Sequence, residues 1–388
     1  MMNHTVTLVI QAGPHSRYDT PLTVDLGEAA IGQTQARLAE ADTGREIPCQ
    51  LDGHSLAFIL PGLGRGQERK VQVQFGQEGP RPPGVRLRDK VEQGLAIEIG
   101  GEPFTVYRYR PDGEYPAKAR PFFYPLLGPG GLSMTRHYPM RQDVPGETHD
   151  HPHHRGLYVG FGDLNGTDNW SEQKGHGYQT HHLFLEIASG RIFGRFSEVL
   201  YWESAEHRKV CEEIRKVTVW NLPQEGRLLD LAVTFEATEA PLKFGDTKEG
   251  GMVSIRVPTT MDADKGGTIE NAAGGLGEAE TWGKSAHWVD YNGPVEGQHA
   301  GIAILDHPFN LRHPTPWHVR GYGLFTANPF GHSHYQSGLL QKGDHTIPAQ
   351  SSLVFRYRVY LHRGDARRGG VASKWSDYAF PPEVKKVS

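Results

Sequence analysis

Cysteine is almost absent from this chain. Cys49 and Cys211 are the only two in 388 residues and lie far apart, which excludes a disulfide framework and any CxxC-type zinc module. No apolar run reaches the about 18 residues that a membrane span needs, so no membrane partner is expected. The opening stretch, MMNHTVTLVIQAGPHSRYDTPL, has no basic start, no long apolar segment and no small-residue cleavage site. It does not read as a signal peptide, and a cytoplasmic location is the expectation. Charge of either sign is unremarkable: 41 Lys and Arg face 45 Asp and Glu, for a net charge of -4. Without a basic run, nucleic acid is not expected as a partner. Helical periodicity is scarce too, and only residues 28–41 offer a helical window.

What is present is alternation. Val71, Val73 and Phe75 alternate with polar residues over 69–75. Leu229, Leu231, Val233 and Phe235 do so over 229–236, and Leu353, Phe355, Tyr357, Val359 and Leu361 over 353–361. A period of two puts one set of side chains on a core and the other toward solvent or a cleft. Further strands are expected at 5–10, 56–60, 95–99, 104–109, 157–162, 191–199, 215–220, 252–257, 301–305 and 319–326. With 48 glycines and 27 prolines as punctuation, this is an all-β pattern of packed sheets. The segment GQEGPRPPGVR (76–86) reads as a linker. It divides a small N-terminal β domain (1–80) from a large β-sandwich domain (87–388) that carries the site. The residues after Pro381-Pro382 read as a frayed tail.

The chemistry concentrates in four segments. In 147–172, ETHDHPHHRGLYVGFGDLNGTDNWSE, four histidines (His149, His151, His153, His154) fall within six residues, beside Asp150 and Arg155. Asp163, Asn169, Trp170 and Glu172 follow. Pro152 places the cluster on a loop feeding strand 157–162. A metal reading would use His149, His151 and His153. However, the glutamate that follows a His-x-His pair in cupin-type sites is replaced by Leu157 and Tyr158, and no His-Glu-x-x-His helix exists.

The second segment, FGDTKEGGMVSIRV (244–257), supplies Asp246, Lys248 and Glu249 in a turn. Ser254 and Arg256 then lie on the polar face of a strand. The third, ETWGKSAHWVDYN (280–292), interleaves Trp282, Trp288 and Tyr291 with Lys284, His287 and Asp290. Such a mixture suits a sugar, whose C–H face packs on rings while its hydroxyls need donors and acceptors. The fourth, 306–335, holds Arg312, Trp317, His318, Arg320, Asn328 and His332. Together with the first it contains nine of the chain's 21 histidines. Phosphate-loop, dinucleotide and serine-elbow patterns all fail at a required glycine. The four segments are expected to converge on one cleft.

Four motifs in order carry a family resemblance: PFFYPLLGPGG (121–131), HDHPHHRGLYVGFGDLNGTDNW (149–170), FGDTKEGGM (244–252) and HPTPWHVRGYGLFTANPFG (313–331). Over about residues 105–380 the chain resembles a bacterial family of unassigned function known as methane oxygenase PmoA-like. The resemblance implies, indirectly, a place in sugar metabolism. By analogy with mutarotases and polysaccharide lyases it implies a large twisted β-sandwich with a concave polar face.

The function expected is a carbohydrate-active enzyme using cofactor-independent acid–base chemistry on a sugar or oxidised sugar, as a lyase, epimerase or glycoside hydrolase. His151, His154 and His318 are the acid–base candidates, since a histidine with pKa near 6.5 can do either job at neutral pH. Glu249 is the carboxylate base. Arg155, Lys248, Arg256 and Arg320 would bind hydroxyls or a developing oxyanion. Asn169, Trp170 and Asn328 would orient the ring, with His153, Asp163, Trp288, Asp290, Trp317 and His332 completing the lining. For a glycosidase, which needs two opposed carboxylates, Glu172 would join Glu249. A metal-dependent hydrolase or oxygenase with a divalent ion at the histidine cluster is one alternative. A non-catalytic carbohydrate-binding protein is the other.

Overall fold

The computed structural model describes residues 5–223, 226–335 and 342–387. Two eight-stranded antiparallel sheets dominate. In one, strands Gly226–Ala237 and Ser351–Arg363 pair in the middle, with Leu231 opposite Tyr357 and Val233 opposite Phe355. Their inward residues are buried, as the alternation predicts, apart from the partly buried Leu353. In the other sheet, strands Phe122–Leu126, Leu157–Phe161, Gly250–Arg256 and Leu324–Ala327 are successive neighbours. Residues of both sheets, among them Val159, Ile255, Phe196 and Val217, form one hydrophobic cluster. The protein is therefore a predominantly β sandwich with a smaller N-terminal β region, as its sequence pattern indicates.

Strands Leu157–Phe161 and Gly250–Arg256 are buried along their whole length. One face packs into the sandwich. On the other, strand residues Tyr124, Tyr158 and Leu324 form a second cluster with loop residues Ala117 and Trp170. Backbone has to approach backbone closely here. Gly156 has φ +58, and a Cβ on it would sit 2.1 Å from the Phe123 carbonyl oxygen, so the turn entering strand Leu157–Phe161 requires glycine. Gly251 is likewise pressed against Thr326.

Residues 28–41 are not helical. A 3-10 turn at Gly27–Ala30 is followed by strand Ala36–Glu40, which pairs with Glu68–Phe75. Gly32, at φ +72, breaks the turn. Beyond it, buried Ala36 and Leu38 alternate with Arg37, and that period of two overrides the local helical preference. Residues 319–326 form not one strand but a hairpin, Trp317–Arg320 and Leu324–Ala327, turning at 321–323. The chain's end does not fray, because Glu383–Lys386 pairs with Thr5–Gln11. That strand thus joins the five-stranded N-terminal sheet rather than the large sandwich.

The N-terminal sheets have their own core, around Leu8, Leu38, Phe58, Val71 and Val73. They are tied to helix Val371–Ala379 by a buried ion pair. Arg17 Nη1 lies 3.0 Å from Asp377 Oδ1, and Thr20 Oγ1 donates to Asp377 Oδ2 at 2.9 Å. Removing one partner leaves a buried charge uncompensated, which costs about 3–5 kcal/mol. Asp377→Ala should therefore lower unfolding stability by about that amount in a urea titration. A change within experimental error would mean that this pair does not hold the two regions together.

Candidate functional site

The loops on the outer face of the buried strands enclose a cavity of about 400 Å³. The loop before strand Leu157–Phe161 contributes His151, His153 and His154, and the turn after that strand contributes Trp170, Ser171 and Gln173. Lys248 and Glu249 come from the turn entering Gly250–Arg256. His318, Arg320 and Tyr322 come from the hairpin. Segments one, two and four of the sequence thus meet at one place.

Beneath the cavity is an arginine–aspartate lattice. Arg256 donates from Nη2 to both oxygens of Asp150, at 2.7 and 2.8 Å, and Arg136 adds a third bond at 3.1 Å. Arg136 also bonds Asp262 and the Tyr322 carbonyl. Asp150 in turn holds His151 through Nδ1 at 2.6 Å. His151 adopts φ 47, a left-handed conformation that a residue with a Cβ rarely takes. Backbone strain of this kind clusters at functional sites.

The lattice sets two proton positions. A carboxylate only accepts, so His151 carries its proton on Nδ1 and leaves Nε2 as a proton acceptor. A guanidinium only donates, so His154 Nδ1, 3.0 Å from Arg256 Nη1, must accept. The proton of neutral His154 is therefore on Nε2, a buried atom with no hydrogen-bond partner among the described residues. The two rings stack at 5.0 Å with 6° between planes, one open to take a proton and the other to give a hydrogen bond. The indole Nε1 of Trp170, which only donates, is also buried without a partner, and its ring lies 5.3 Å from that of His154. On the far side Tyr322 stacks on His151 at 4.5 Å, with Arg256 4.9 Å from its ring centroid.

Arg120 fixes the two loops relative to each other. Fully enclosed, it donates to the carbonyls of Asn169, His153 and Trp170 at 2.5, 2.9 and 2.7 Å. It shares Glu172 with Arg155, at 3.1 and 2.6 Å.

Burial above all, and then the charges of Arg120, His151, Arg256 and Arg155, push the His153 imidazole down to about 3. Burial, followed by Arg320 and Lys248, does the same to His318, also to about 3. Burial and then His153 and Arg256 hold His154 well below the usual range. Burial opposes ionisation of Asp150, but Arg256, His151 and Arg136 outweigh it and bring the carboxyl to about 2. The three imidazoles are thus neutral at physiological pH rather than poised near 6.5.

Other expected site residues lie elsewhere, for identifiable reasons. Arg256 is under the cavity, bound to Asp150 and His154. Arg155 is turned to Glu172. Asp163 accepts from the Gly166 amide in a turn. Asn169 is buried behind Trp170, with its backbone held by Arg120. Asn328 donates to the Thr247 carbonyl and so supports the turn that carries Lys248. Trp317 is core, its indole bonded to the Ala286 carbonyl. Trp288 packs under the C-terminal helix, and Asp290 is paired with buried His362 at 2.7 Å. The third segment therefore stays out of the cavity lining, and its Trp282 ring lies 6.0 Å from the Arg320 guanidinium. His332 neighbours Arg312 and Asp246 rather than the cavity. His149 stacks on Tyr138 at 4.5 Å, so His149, His151 and His153 do not converge. Among the described residues no three His, Cys, Asp or Glu side chains are grouped to hold an ion.

Sequence reasoning missed Tyr322, Ser171 and Gln173, and noted Asp150 only as a neighbour of the histidines. Asp150, next to His151, had an available signal: a carboxylate beside an imidazole is the arrangement that fixes a tautomer.

The chain belongs to a family of unknown function, DUF6807, whose model matches residues 94–376. This corrects the resemblance to the PmoA-like family. In addition, no helix among the described residues is long and apolar enough to cross a membrane. No curated protein matches the sequence. Among solved structures, a protein in the glycosyl hydrolase family 38 from Enterococcus faecalis is 9% identical with a TM-score of 0.44, over 99% of this chain and 47% of that one. An alpha-mannosidase from Enterococcus faecalis V583 is 10% identical with a TM-score of 0.43, over 99% and 46%. The chain spans about half the length of either, and likeness of this degree assigns it no chemistry.

The imidazole directions give a pH test. Each folded pKa lies below the ordinary histidine value of 6.5, so the unfolded chain binds more protons as pH falls from there toward 3, and stability drops through that window. In nitrogen-15 spectra at about pH 5, where free histidine is protonated, His153, His154 and His318 should remain neutral, with the His154 proton on Nε2. Titration of these rings near 6.5 would contradict the electrostatics described.

Proposed function

We propose that this member of the DUF6807 family removes a proton from a carbon next to a carbonyl in a sugar or oxidised sugar. The observation that carries the reading is the pair of opposite tautomers on stacked rings, His151 and His154. His151 Nε2 takes the proton. The C–H electron pair moves toward the carbonyl oxygen, which becomes an enolate oxygen. His154 Nε2–H and Trp170 Nε1–H point donors at that charge from inside a buried wall, where fixed dipoles act strongly. The enolate then takes a proton back on its other face, which is epimerisation, or expels the neighbouring hydroxyl as water, which is elimination. In the first outcome the returning proton comes from a solvent water held by the Glu249 carboxylate on another wall, and His151 releases its own proton to solvent. For the second, Tyr322 is a proton-bearing phenol, its pKa raised by burial despite its hydrogen bond with Arg320.

Asp150 orients His151 rather than driving it. Two arginines already neutralise its charge, so its contribution is the tautomer and the ring position. The volume of about 400 Å³ falls within the range of small-molecule pockets and leaves room for a monosaccharide. Glycoside hydrolysis fits less well, because it needs two carboxylates facing the bond. Glu249 is the cavity's one carboxylate among the described lining residues, and Glu172 is committed to Arg155 and Arg120.

The test is deuterium incorporation from D2O into a panel of ketoses, keto sugars and sugar acids, with loss of hydroxyl followed in parallel. Exchange by the unaltered protein should fall by about 10²–10⁴ in His151→Gln. It should fall by about 10²–10³ in His154→Phe. Full exchange in His151→Gln would remove that residue from the reaction, and exchange with no substrate of the panel would remove the reading.

A further inference from the structure

We infer that the substrate of this cavity is a sugar acid, whose carboxylate is held by Lys248 and Arg320 while its carbonyl end faces His154 and Trp170. The carbonyl half rests on the proton-abstraction reading above; the carboxylate half does not. Two cations, Lys248 and Arg320, line the cavity against one carboxylate, Glu249. Both cations are in loose pairs. Lys248 leans on its own neighbour Glu249, and Arg320 Nη1 meets Glu278 Oε1 at 2.7 Å, with each of these side chains about a third or more exposed. Exposed pairs of this kind are weak and readily exchanged for a better partner.

A better partner has a defined shape. Arg320 Nε is buried with no hydrogen-bond partner among the described residues. A planar guanidinium with an open Nε offers the parallel fork that a carboxylate accepts. The fixed charges bearing on His153, His154 and His318 include Arg120, Arg155, Arg256, Arg320 and Lys248, all cationic, so the interior potential favours an anion. The lining's single excess positive charge suits a monoanion better than a phosphate monoester. The chemistry agrees, since drawing a proton from a molecule that is already an anion builds a second negative charge that fixed cations offset.

The experiment is calorimetry and thermal-shift titration of the intact chain with D-glucuronate, D-galacturonate and D-gluconate. D-glucose and D-galactose serve as neutral counterparts, and glucose 6-phosphate as the phosphate. At least one acid should bind tenfold or more tightly than its neutral counterpart and than the phosphate. That margin should vanish in Lys248→Met combined with Arg320→Met and shrink as salt is raised. Both side chains are partly exposed, so an unchanged melting midpoint of the unliganded double variant checks that it is folded. Equal binding of acid and neutral sugar, binding of neither, tighter binding of the phosphate, or a margin that survives the double variant would each overturn the inference. Binding of acids through Lys248 and Arg320 without deuterium exchange would leave it standing and remove the proton-abstraction reading. Exchange on neutral sugars alone would do the reverse.

Discussion

The site depends on one carboxylate. Asp150 receives Arg256 on both oxygens and Arg136 on one, and it holds His151 with what remains. Arg256 stands on a strand whose other face is sandwich core, so its position is set by the packing of Val253, Ile255 and Val257. Through Asp150 that rigidity passes to a loop with no regular structure of its own. The same arginine fixes the proton of His154 and lies against Tyr322. One buried cation on a rigid strand thus determines the chemical state of two imidazoles and the place of a phenol. A buried ion network is weak evidence for stability. Here its effect is to specify geometry.

Arg120 plays the corresponding part on the other wall. Three backbone carbonyls from two loops converge on it, and its charge is shared with Glu172 and Arg155. The loops that carry His153 and Trp170 are therefore bound to a common post, although neither belongs to a sheet. Much of the cationic charge around the cavity is structural in this sense, and it adds to burial in keeping His153, His154 and His318 neutral. Buried beside arginines, His153, His154 and His318 do not take up the second proton that would make them cations at neutral pH. They serve as acceptors and donors of fixed direction.

How legible this was in the sequence differs by element. Strands such as 229–236 and 353–361 were readable because burial on one face imposes a strict period of two. The window at 28–41 misled because local helical preference is weak beside a strand partner at Val71 and Val73. The hairpin at 317–327 was read as one strand because Gly321 and Gly323 flank a tyrosine within an otherwise apolar run. That misreading hid Tyr322. Density of titratable residues located the histidine loop, Lys248–Glu249 and His318–Arg320. It failed at Trp288, Asp290 and Trp317, where aromatic and acidic residues answer to the core and to His362 rather than to a ligand. Composition detects polar groups that have to be satisfied; it does not tell which of them the protein satisfies itself.

That distinction is the strongest physical argument for a ligand. Leaving a buried polar group unpaired costs on the order of 1–3 kcal/mol. Asp290 and Trp317 incur no such cost, because each has a protein partner. His154 Nε2, Trp170 Nε1, His318 Nδ1 and Arg320 Nε have none, and all four belong to residues lining one cavity. Unpaired buried atoms also occur elsewhere among the described residues, at Thr105, Arg110 and Tyr357 for example. Four around one cavity, on residues whose other polar atoms or backbones are tied to Arg256, Arg120, Glu278 and the Lys248 backbone, suggest a surface organised before its ligand arrives. Preorganised donors of this kind lose little freedom on binding. The stability given up in holding them open is the cost of a site that meets developing charge with groups already in place.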